Sequence, residues 1–136
     1  EDVTSLSSKE LEKVRFAKGA FAPKGHMYYP ISFPEKLALE KAIAFSIGNR
    51  SALCVMKNVG MNVASDPLMS ITYQTLIAPL VIVVCDDPGC YSSSNEQDSR
   101  NWGSMALVPV FNPSTPEDAY EMTNTLHDDV APIAVI

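Results

Sequence analysis

The pattern of apolar and polar positions predicts a helix in the first third of the chain. Apolar or small residues recur at helical spacing and share one face, at Leu39, Ala42, Ile43, Ser46 and Ile47. Gly48 follows them, and glycine typically ends a helix. Ser32 and Glu35 stand three residues apart, which is the spacing of a capping box. We therefore predict a helix that Ser32 caps, that has Glu35 in its first turn and that ends at Gly48.

Four short apolar runs predict strands, namely Ala52–Met56, Leu80–Cys85, Val108–Phe111 and Ile133–Ile136. The second of these runs has no alternation of apolar and polar residues, which indicates that both of its faces are buried. A strand of that kind belongs in the middle of a parallel sheet that helices cover on both sides.

Further helices are indicated towards both ends of the chain. Ser7 and Glu10 have capping-box spacing and predict a helix over about Ser8–Lys18, followed by a connector over Ala20–Pro34. Near the other end, Ser114 and Glu117 predict a third capping box. The helix that follows has its buried stripe at Ala119, Met122 and Leu126 and reaches about His127.

The start of the helix between the first two strands is open. Asp66 and Pro67 have the character of an N-cap and a first helical residue. A helix that begins nearer Gly60 and includes Pro67 in its first turns is equally compatible with the sequence.

This alternation of strands and helices predicts an α/β fold, with a doubly wound, mostly parallel sheet and helices on both faces. In such folds ligands bind at the carboxyl ends of the strands. Two polar loops rich in Gly and Pro follow apolar runs, at Met56–Met69 and Asp86–Arg100. We expect both loops to lie at one edge of the sheet.

Composition limits the classes of function. With 136 residues, 46% hydrophobic and 19% charged, the chain is expected to bury its own core. A net charge of −6 and the absence of a basic run argue against nucleic acid as a partner. The longest apolar stretch, Leu76–Cys85, is too short to span a bilayer, and the acidic, Ser-rich N-terminus has no signal-peptide pattern. We expect no membrane contact and a cytoplasmic location, with free cysteine thiols.

Five segments, taken in order, resemble a known family. They are Glu35–Glu40, Asn58–Pro67, Asp86–Gly89, Asn95–Arg100 and Pro113–Glu117. From Glu35 to about Asp128 the chain resembles the pyrimidine-binding domain of thiamine-diphosphate-dependent 2-oxoacid:ferredoxin oxidoreductases, most closely the alpha subunit of the indolepyruvate type. The resemblance implies a thiamine-diphosphate-binding fold over residues 35–136, preceded by an atypical N-terminal helix and connector over residues 1–34. It also implies oxidative decarboxylation of a 2-oxoacid, with coenzyme A and ferredoxin served through the complex.

Glu35 stands at the position of the family's glutamate. That resemblance implies a carboxyl group hydrogen-bonded to the pyrimidine N1′ of thiamine diphosphate, where it exchanges a proton as a general acid–base group. The alternative is structural, because Glu35 is also the acidic member of the capping box predicted with Ser32.

The same carry-over implies that the loop after the first strand lines the pyrimidine, through Asn58, Val59, Gly60, Met61 and Asn62. Its alternative is a plain strand-to-helix turn, for which Gly and Asn are usual. In the second loop, Asn95, Glu96 and Arg100 are candidates for substrate or partner contacts, or else belong to a solvated surface. Asp86 and Asp87 offer too few oxygens for a hard cation, so we predict a turn and a cap there and no metal site.

Several parts of the cofactor site have no counterpart in the sequence. There is no Gly-Asp-Gly motif for Mg²⁺ and diphosphate, and no cysteine cluster for iron–sulfur ligation. We therefore expect a homo- or hetero-oligomer in which a diphosphate-binding domain or subunit supplies both. The alternative is a degenerate, non-catalytic copy of the domain that serves assembly or small-ligand binding. A phosphate-binding doubly wound domain is less favoured, because no P-loop or dinucleotide fingerprint occurs.

Overall fold

The computed structural model describes residues 34–125 and 133–135. In chain order the elements are α1 (Glu35–Ile47), β1 (Ala52–Lys57), α2 (Asn58–Val63), α3 (Ser65–Ile71), β2 (Leu80–Cys85), α4 (Arg100–Ala106), α5 (Pro116–Thr125) and β3 (Ile133–Val135). The helix predicted over Ser8–Lys18, the connector after it and His127 lie outside the described residues.

The three strands form one parallel sheet in the order β1-β2-β3. The register of β1 and β2 runs from Ala52 opposite Leu80 to Lys57 opposite Cys85, so both strands end at the same height. As predicted from its unbroken apolar run, β2 is the central strand. The predicted α/β class with a parallel sheet is therefore confirmed.

One face of the sheet carries most of the core. Helix α1 packs against β1, α2 and α3, and α4 packs against α3. The fully buried members of this core include Leu39, Met61, Leu68, Leu80 and Ile82. The opposite face is thinner and is formed by Val81 and Val83 with Phe111 and Met122.

Helix α1 agrees with its predicted pattern except at its start. Leu39, Ala42, Ile43 and Ser46 are buried, and Gly48 is the C-cap. Ile47 is 44% exposed, so the stripe ends one residue earlier than predicted. The N-cap is Pro34 and not Ser32, so the predicted capping box of Ser32 and Glu35 does not start this helix. Ser32 itself lies outside the described residues. Glu35 is the first helical residue, which frees its carboxylate from a capping role.

Asp66, one of the two helix starts that the sequence left open, is not the N-cap. The helical turns begin at Asn58, directly after β1, and α3 has Ala64 as its N-cap with Pro67 inside its first turn. The alternative of an earlier helix start is therefore closer to the structure. The Asp66 carboxylate instead accepts a 2.6 Å bond from Lys36 Nζ and so joins α3 to α1. Asp66 also raises the pKa of Lys36, through this hydrogen bond and its charge.

The capping box of α5 lies one residue later than predicted. The Thr115 hydroxyl accepts from the Asp118 backbone N–H at 3.1 Å, and an Asp118 carboxylate oxygen accepts from the Thr115 backbone N–H at 3.1 Å. The predicted pair of Ser114 and Glu117 is therefore wrong, although both pairs have the same spacing.

The segment Val108–Phe111 does not form the predicted strand. It packs against α4, a short helix that the periodicity did not reveal because its seven residues are too few to establish a stripe. Gly103 of α4 makes this contact possible, since a Cβ there would lie 1.9 Å from Val110 Cγ2 and 3.0 Å from the Val108 carbonyl oxygen.

Cys54, Cys85 and Cys90 all lie within the described residues, and none of them forms a disulfide. Cys54 lies in the core, where burial raises its pKa to about 12 and keeps the thiol protonated. Within the described part of the chain, no helix is both long and apolar enough to cross a membrane.

Gly103→Ala is expected to destabilise the fold by about 1–3 kcal/mol, because the added methyl group overpacks the contact with Val110. Gly48→Ala is the matched control. Gly48 has an ordinary φ of −76°, and a Cβ there would meet its nearest atom, the Ala44 carbonyl oxygen, at 3.3 Å. We expect it to change stability by no more than about 0.5 kcal/mol. Urea unfolding at constant m-value checks both, and equal effects would contradict the overpacking.

Candidate functional site at the carboxyl edge of the sheet

The candidate site is the edge at which β1 and β2 both end. Helix α2 leaves this edge directly after β1, and the loop Asp86–Ser99 leaves it after β2. Hydrogen bonds from Lys57 and Asn58 to this loop join the two segments. The prediction that the two polar loops share one edge is therefore confirmed.

The side chain of Glu35 lies against Gly60. A Cβ added at Gly60 would lie 2.8 Å from Glu35 Cγ and 3.3 Å from Glu35 Cδ, so only glycine leaves room for this side chain. The first residue of α1 is therefore in contact with the third residue of α2. Among the described residues, no hydrogen bond or ion pair to the half-buried Glu35 carboxylate is found.

The five residues predicted to line a pyrimidine point in different directions. Asn58 and Met61 are fully buried, Gly60 is buried, Val59 is half-buried and Asn62 is exposed. Met61 belongs to the hydrophobic core. A ligand beside Glu35 would therefore meet the backbone of this turn and Val59 before it met the Met61 side chain.

Asn58 uses its carboxamide within the protein. Its Oδ1 accepts from the Val59 backbone N–H at 2.8 Å, and its Nδ2 donates to the Asn95 carbonyl oxygen at 3.3 Å and to Asn95 Oδ1 at 3.4 Å. Gln97 Nε2 donates to the Asn58 carbonyl oxygen at 3.3 Å. Both predicted loops thus meet at Asn58, whose side-chain amide binds Val59 in the first loop and Asn95 in the second.

Lys57 makes a second link between the loops. Its ammonium donates to the Ser92 carbonyl oxygen at 2.9 Å, to Ser92 Oγ at 2.5 Å and to Ser93 Oγ at 3.4 Å. Lys57 is not among the site residues predicted from the sequence. The available signal was a charged residue at the end of an otherwise apolar strand.

A tight turn follows β2 at the start of the second loop. The Cys90 backbone N–H donates to the Asp87 carbonyl oxygen at 3.0 Å, and Gly89 has a φ of 81°, which suits glycine. Asp87 Oδ2 accepts from the Ser92 backbone N–H at 2.6 Å. That bond lowers the pKa of Asp87, and the hydroxyls of Ser92 and Ser93 and the charge of Lys57 act in the same direction. The predicted turn is present.

Asp86 tethers the far end of the loop. Its Oδ2 accepts from the Ser99 backbone N–H, immediately before α4, at 2.8 Å. Asp86 Oδ1 and Ser99 Oγ are buried without a hydrogen-bond partner among the described residues. Across residues 34–125, no group of three or more His, Cys, Asp or Glu side chains has the arrangement of a metal site.

Arg100 forms a two-pronged pair with Asp98. Its Nε and Nη2 donate to the two carboxylate oxygens at 2.8 Å each, and these bonds lower the pKa of Asp98. The side chain of Arg100 is 61% exposed, so this pair contributes little to stability. Asn95 and Glu96 are exposed on the same loop, and the structure places Asn95 beside Asn58.

The chemistry available at this edge is that of a carboxylate and a guanidinium on a hydrogen-bonded frame. Glu35 can exchange a proton with a ligand nitrogen, and Arg100 can donate to a ligand anion. The intervening loop is held by amides, hydroxyls and one ammonium group.

These features define an α/β segment that gathers polar side chains where parallel strands end. Sequence comparison finds named relatives of this chain. Indolepyruvate oxidoreductase subunit IorA of Methanothermobacter thermautotrophicus is 41% identical over 103 residues, covering 76% of this chain and 17% of that protein. The subunit IorA of Thermococcus kodakarensis is 43% identical over 104 residues, and that of Archaeoglobus fulgidus is 40% identical over 105 residues.

The matched region is therefore homologous to part of indolepyruvate oxidoreductase subunit IorA, and the resemblance drawn from the five segments is confirmed. The chain spans only 16–17% of the length of these curated relatives. A family model described as a domain of unknown function (DUF4872) also matches residues 9–66, which is less than half of the chain. Its description assigns no activity.

The tether between Asp87 and Ser92 is expected to survive moderate acid. Because hydrogen bonding lowers the folded-state pKa of Asp87, the tether is complete above the ordinary value of 3.8 and is lost as the pH falls through the lower folded value. The amide resonance of Ser92 should therefore move with acid in a transition whose midpoint lies below 3.8. In Asp87→Asn the same bond forms with a group that does not titrate, so this acid transition should vanish. A midpoint above 3.8 in the parent would contradict the assignment.

Proposed function

We propose that this chain supplies the pyrimidine-side half of a thiamine diphosphate site in a 2-oxoacid:ferredoxin oxidoreductase of the indolepyruvate type. The observation that carries the proposal is the contact between Glu35 and Gly60 at the carboxyl edge of the sheet. The homology to IorA supports the choice of reaction and of an indolepyruvate-like substrate.

The residues at this edge fit a flat heterocycle with a ring nitrogen. Gly60 has no Cβ, and the Glu35 side chain occupies the room that a Cβ would need. Glu35 is the first residue of α1 and has no capping duty, so its carboxyl group can be directed at a ligand. Glu35 and the turn Asn58–Gly60 would hold the pyrimidine of thiamine diphosphate, which would supply a nucleophilic thiazolium carbon for the 2-oxoacid.

Glu35 acts in this proposal on one proton. Its carboxyl group donates a hydrogen bond to the pyrimidine N1′ and takes the proton back, which is general acid–base exchange at a defined atom. The half-buried position limits competition from water. The turn Asn58–Gly60 excludes solvent from one side and leaves its backbone and Val59 to contact the ring.

Arg100 is proposed to meet the carboxylate of the oxoacid. A guanidinium binds a carboxylate through paired N–H donors, and Arg100 already holds Asp98 in that way with Nε and Nη2. Its Nη1 donors remain for a second anion, with Asp98 fixing the orientation of the guanidinium plane. Asn95 and Glu96 lie on the same loop and are proposed to contact substrate or a partner chain.

The remaining parts of the site are proposed to come from another domain or subunit. That partner would bind Mg²⁺ and the diphosphate and would carry the iron–sulfur clusters. The complete oligomer would then pass electrons to ferredoxin and the acyl group to coenzyme A, in the cytoplasm.

Glu35→Gln in the assembled enzyme is expected to lower turnover by about 10²-fold or more, because the amide cannot exchange a proton with N1′. The melting temperature should barely change, since Glu35 makes no capping bond. Glu40→Gln is the control, on an exposed position of the same helix whose only described ion pair is the 4.0 Å contact with Lys36. We expect it to leave turnover unchanged.

The rate of C2 proton exchange on bound thiamine diphosphate, followed by NMR, separates catalysis from other effects. A rate for Glu35→Gln within a few-fold of the parent would refute the catalytic role. Absent cofactor binding by the assembled protein would instead favour the degenerate, non-catalytic domain.

Gly60→Ala tests the contact itself. The new methyl group forces the Glu35 side chain aside, since its Cγ would lie 2.8 Å away. Because that side chain is flexible, we expect a stability loss below about 1 kcal/mol and a loss of turnover of about tenfold or more. Unchanged turnover with intact cofactor binding would show that the position of Glu35 is not critical.

A further inference from the structure

Side-chain hydrogen bonds that the sequence pattern does not predict join the two loops at the carboxyl edge. Lys57 and Asn58, at the end of β1 and the start of α2, contribute from one side, and Ser92, Asn95 and Gln97 contribute from the other. We call these five residues the loop clasp. Each of them is distant in sequence from its partner across the clasp, so only the fold brings them together.

The clasp combines one charge-assisted link with several neutral ones. The ammonium of Lys57 makes the shortest contacts, at 2.5 and 2.9 Å from Ser92 Oγ and O. The amide contacts of Asn58 are longer, at 3.3–3.4 Å, but the Asn58 side chain is fully buried. A buried amide that lost these partners would leave its N–H groups unsatisfied, which makes an open clasp unfavourable.

The clasp lies between the two groups to which the proposed function gives chemical roles. On one side, Asn58 is followed within the same helical turn by Gly60, which contacts Glu35. On the other side, Gln97 is followed by Asp98 and Arg100, which form their own pair. The Glu35–Gly60 contact, the hydrogen bonds of Asn58 and short stretches of backbone therefore connect Glu35 to Arg100.

We propose that Lys57 and Asn58 are positioning residues, which hold the loop Asp86–Ser99, and with it Arg100, in register with Glu35. The two loops then open together, so a substitution that loosens one loop also raises amide hydrogen exchange in the other. The mechanical coupling follows from the clasp alone, whereas its consequence for catalysis rests on the proposed function.

Hydrogen exchange of backbone amides in the full chain tests the coupling without any cofactor. Lys57→Met and Asn58→Ala should accelerate exchange across the clasp at Cys90 and Ser99 by about tenfold, the scale of one lost hydrogen bond. In the reverse direction, Gln97→Ala should accelerate exchange at Val59 of α2 and at Ala64, the residue that ends α2. Gln97 is only half-buried, so this variant keeps the test valid if Asn58→Ala does not fold.

Two further variants sharpen the result. Ser70→Ala removes a 2.7 Å bond within α3, from Ser70 Oγ to the Asp66 carbonyl oxygen, and should leave exchange in both loops unchanged. Lys57→Arg keeps a donor for Ser92 and should restore slow exchange that Lys57→Met loses. Exchange that rises only in the loop carrying the substitution would overturn the proposal, as would a failure of Lys57→Arg to restore it.

The catalytic arm uses the assembled enzyme. Gln97→Ala, which leaves both Glu35 and Arg100 intact, should lower kcat/KM for the oxoacid severalfold at an unchanged melting temperature. Coupled exchange with unaltered kinetics would refute the catalytic role of the clasp. The proposed function has a separate test, because an unchanged rate of C2 proton exchange in Glu35→Gln would refute it whatever the amide exchange data show.

Discussion

The parallel, in-register pairing of β1 with β2 is the constraint on which the rest of this structure depends. Because Lys57 pairs with Cys85, the two strands end at the same height and their loops leave from one edge. The alternation along β1 holds this register, since a slip of one residue would turn its buried side chains, Ala52, Cys54 and Met56, to the exposed face. The candidate site is a direct consequence.

What stands on that edge is a frame of polar side chains that mostly bind one another. Asp87, Asp86 and Lys57 each hold a part of the second loop, and Asn58 joins it to α2. Such an arrangement is suited to positioning, because each loop is fastened at several points. The Glu35 carboxylate stands apart from this frame, and its side chain lies in the room that Gly60 leaves by having no Cβ.

Much of the fold could be predicted from local patterns, and the failures are informative. The strands Ala52–Met56 and Leu80–Cys85 were found because unbroken or short apolar runs need no tertiary context. The strand predicted at Val108–Phe111 was wrong because an apolar run also serves a segment that packs on a helix, as this one does on Gly103. Caps were misplaced by a residue or more where several polar residues competed for one helix start, as at Thr115 and Ser114.

The sequence by itself determined the α/β class, the central strand, the edge where polar loops gather and the position of Glu35, because these depend on periodicity and on order along the chain. Only the tertiary structure decided that Glu35 is the first residue of α1 and that its side chain lies against Gly60. It also decided that the Asn58 side chain is directed towards Asn95. Those facts depend on distances between residues far apart in sequence. Periodicity carries no information about such distances, and packing supplies it.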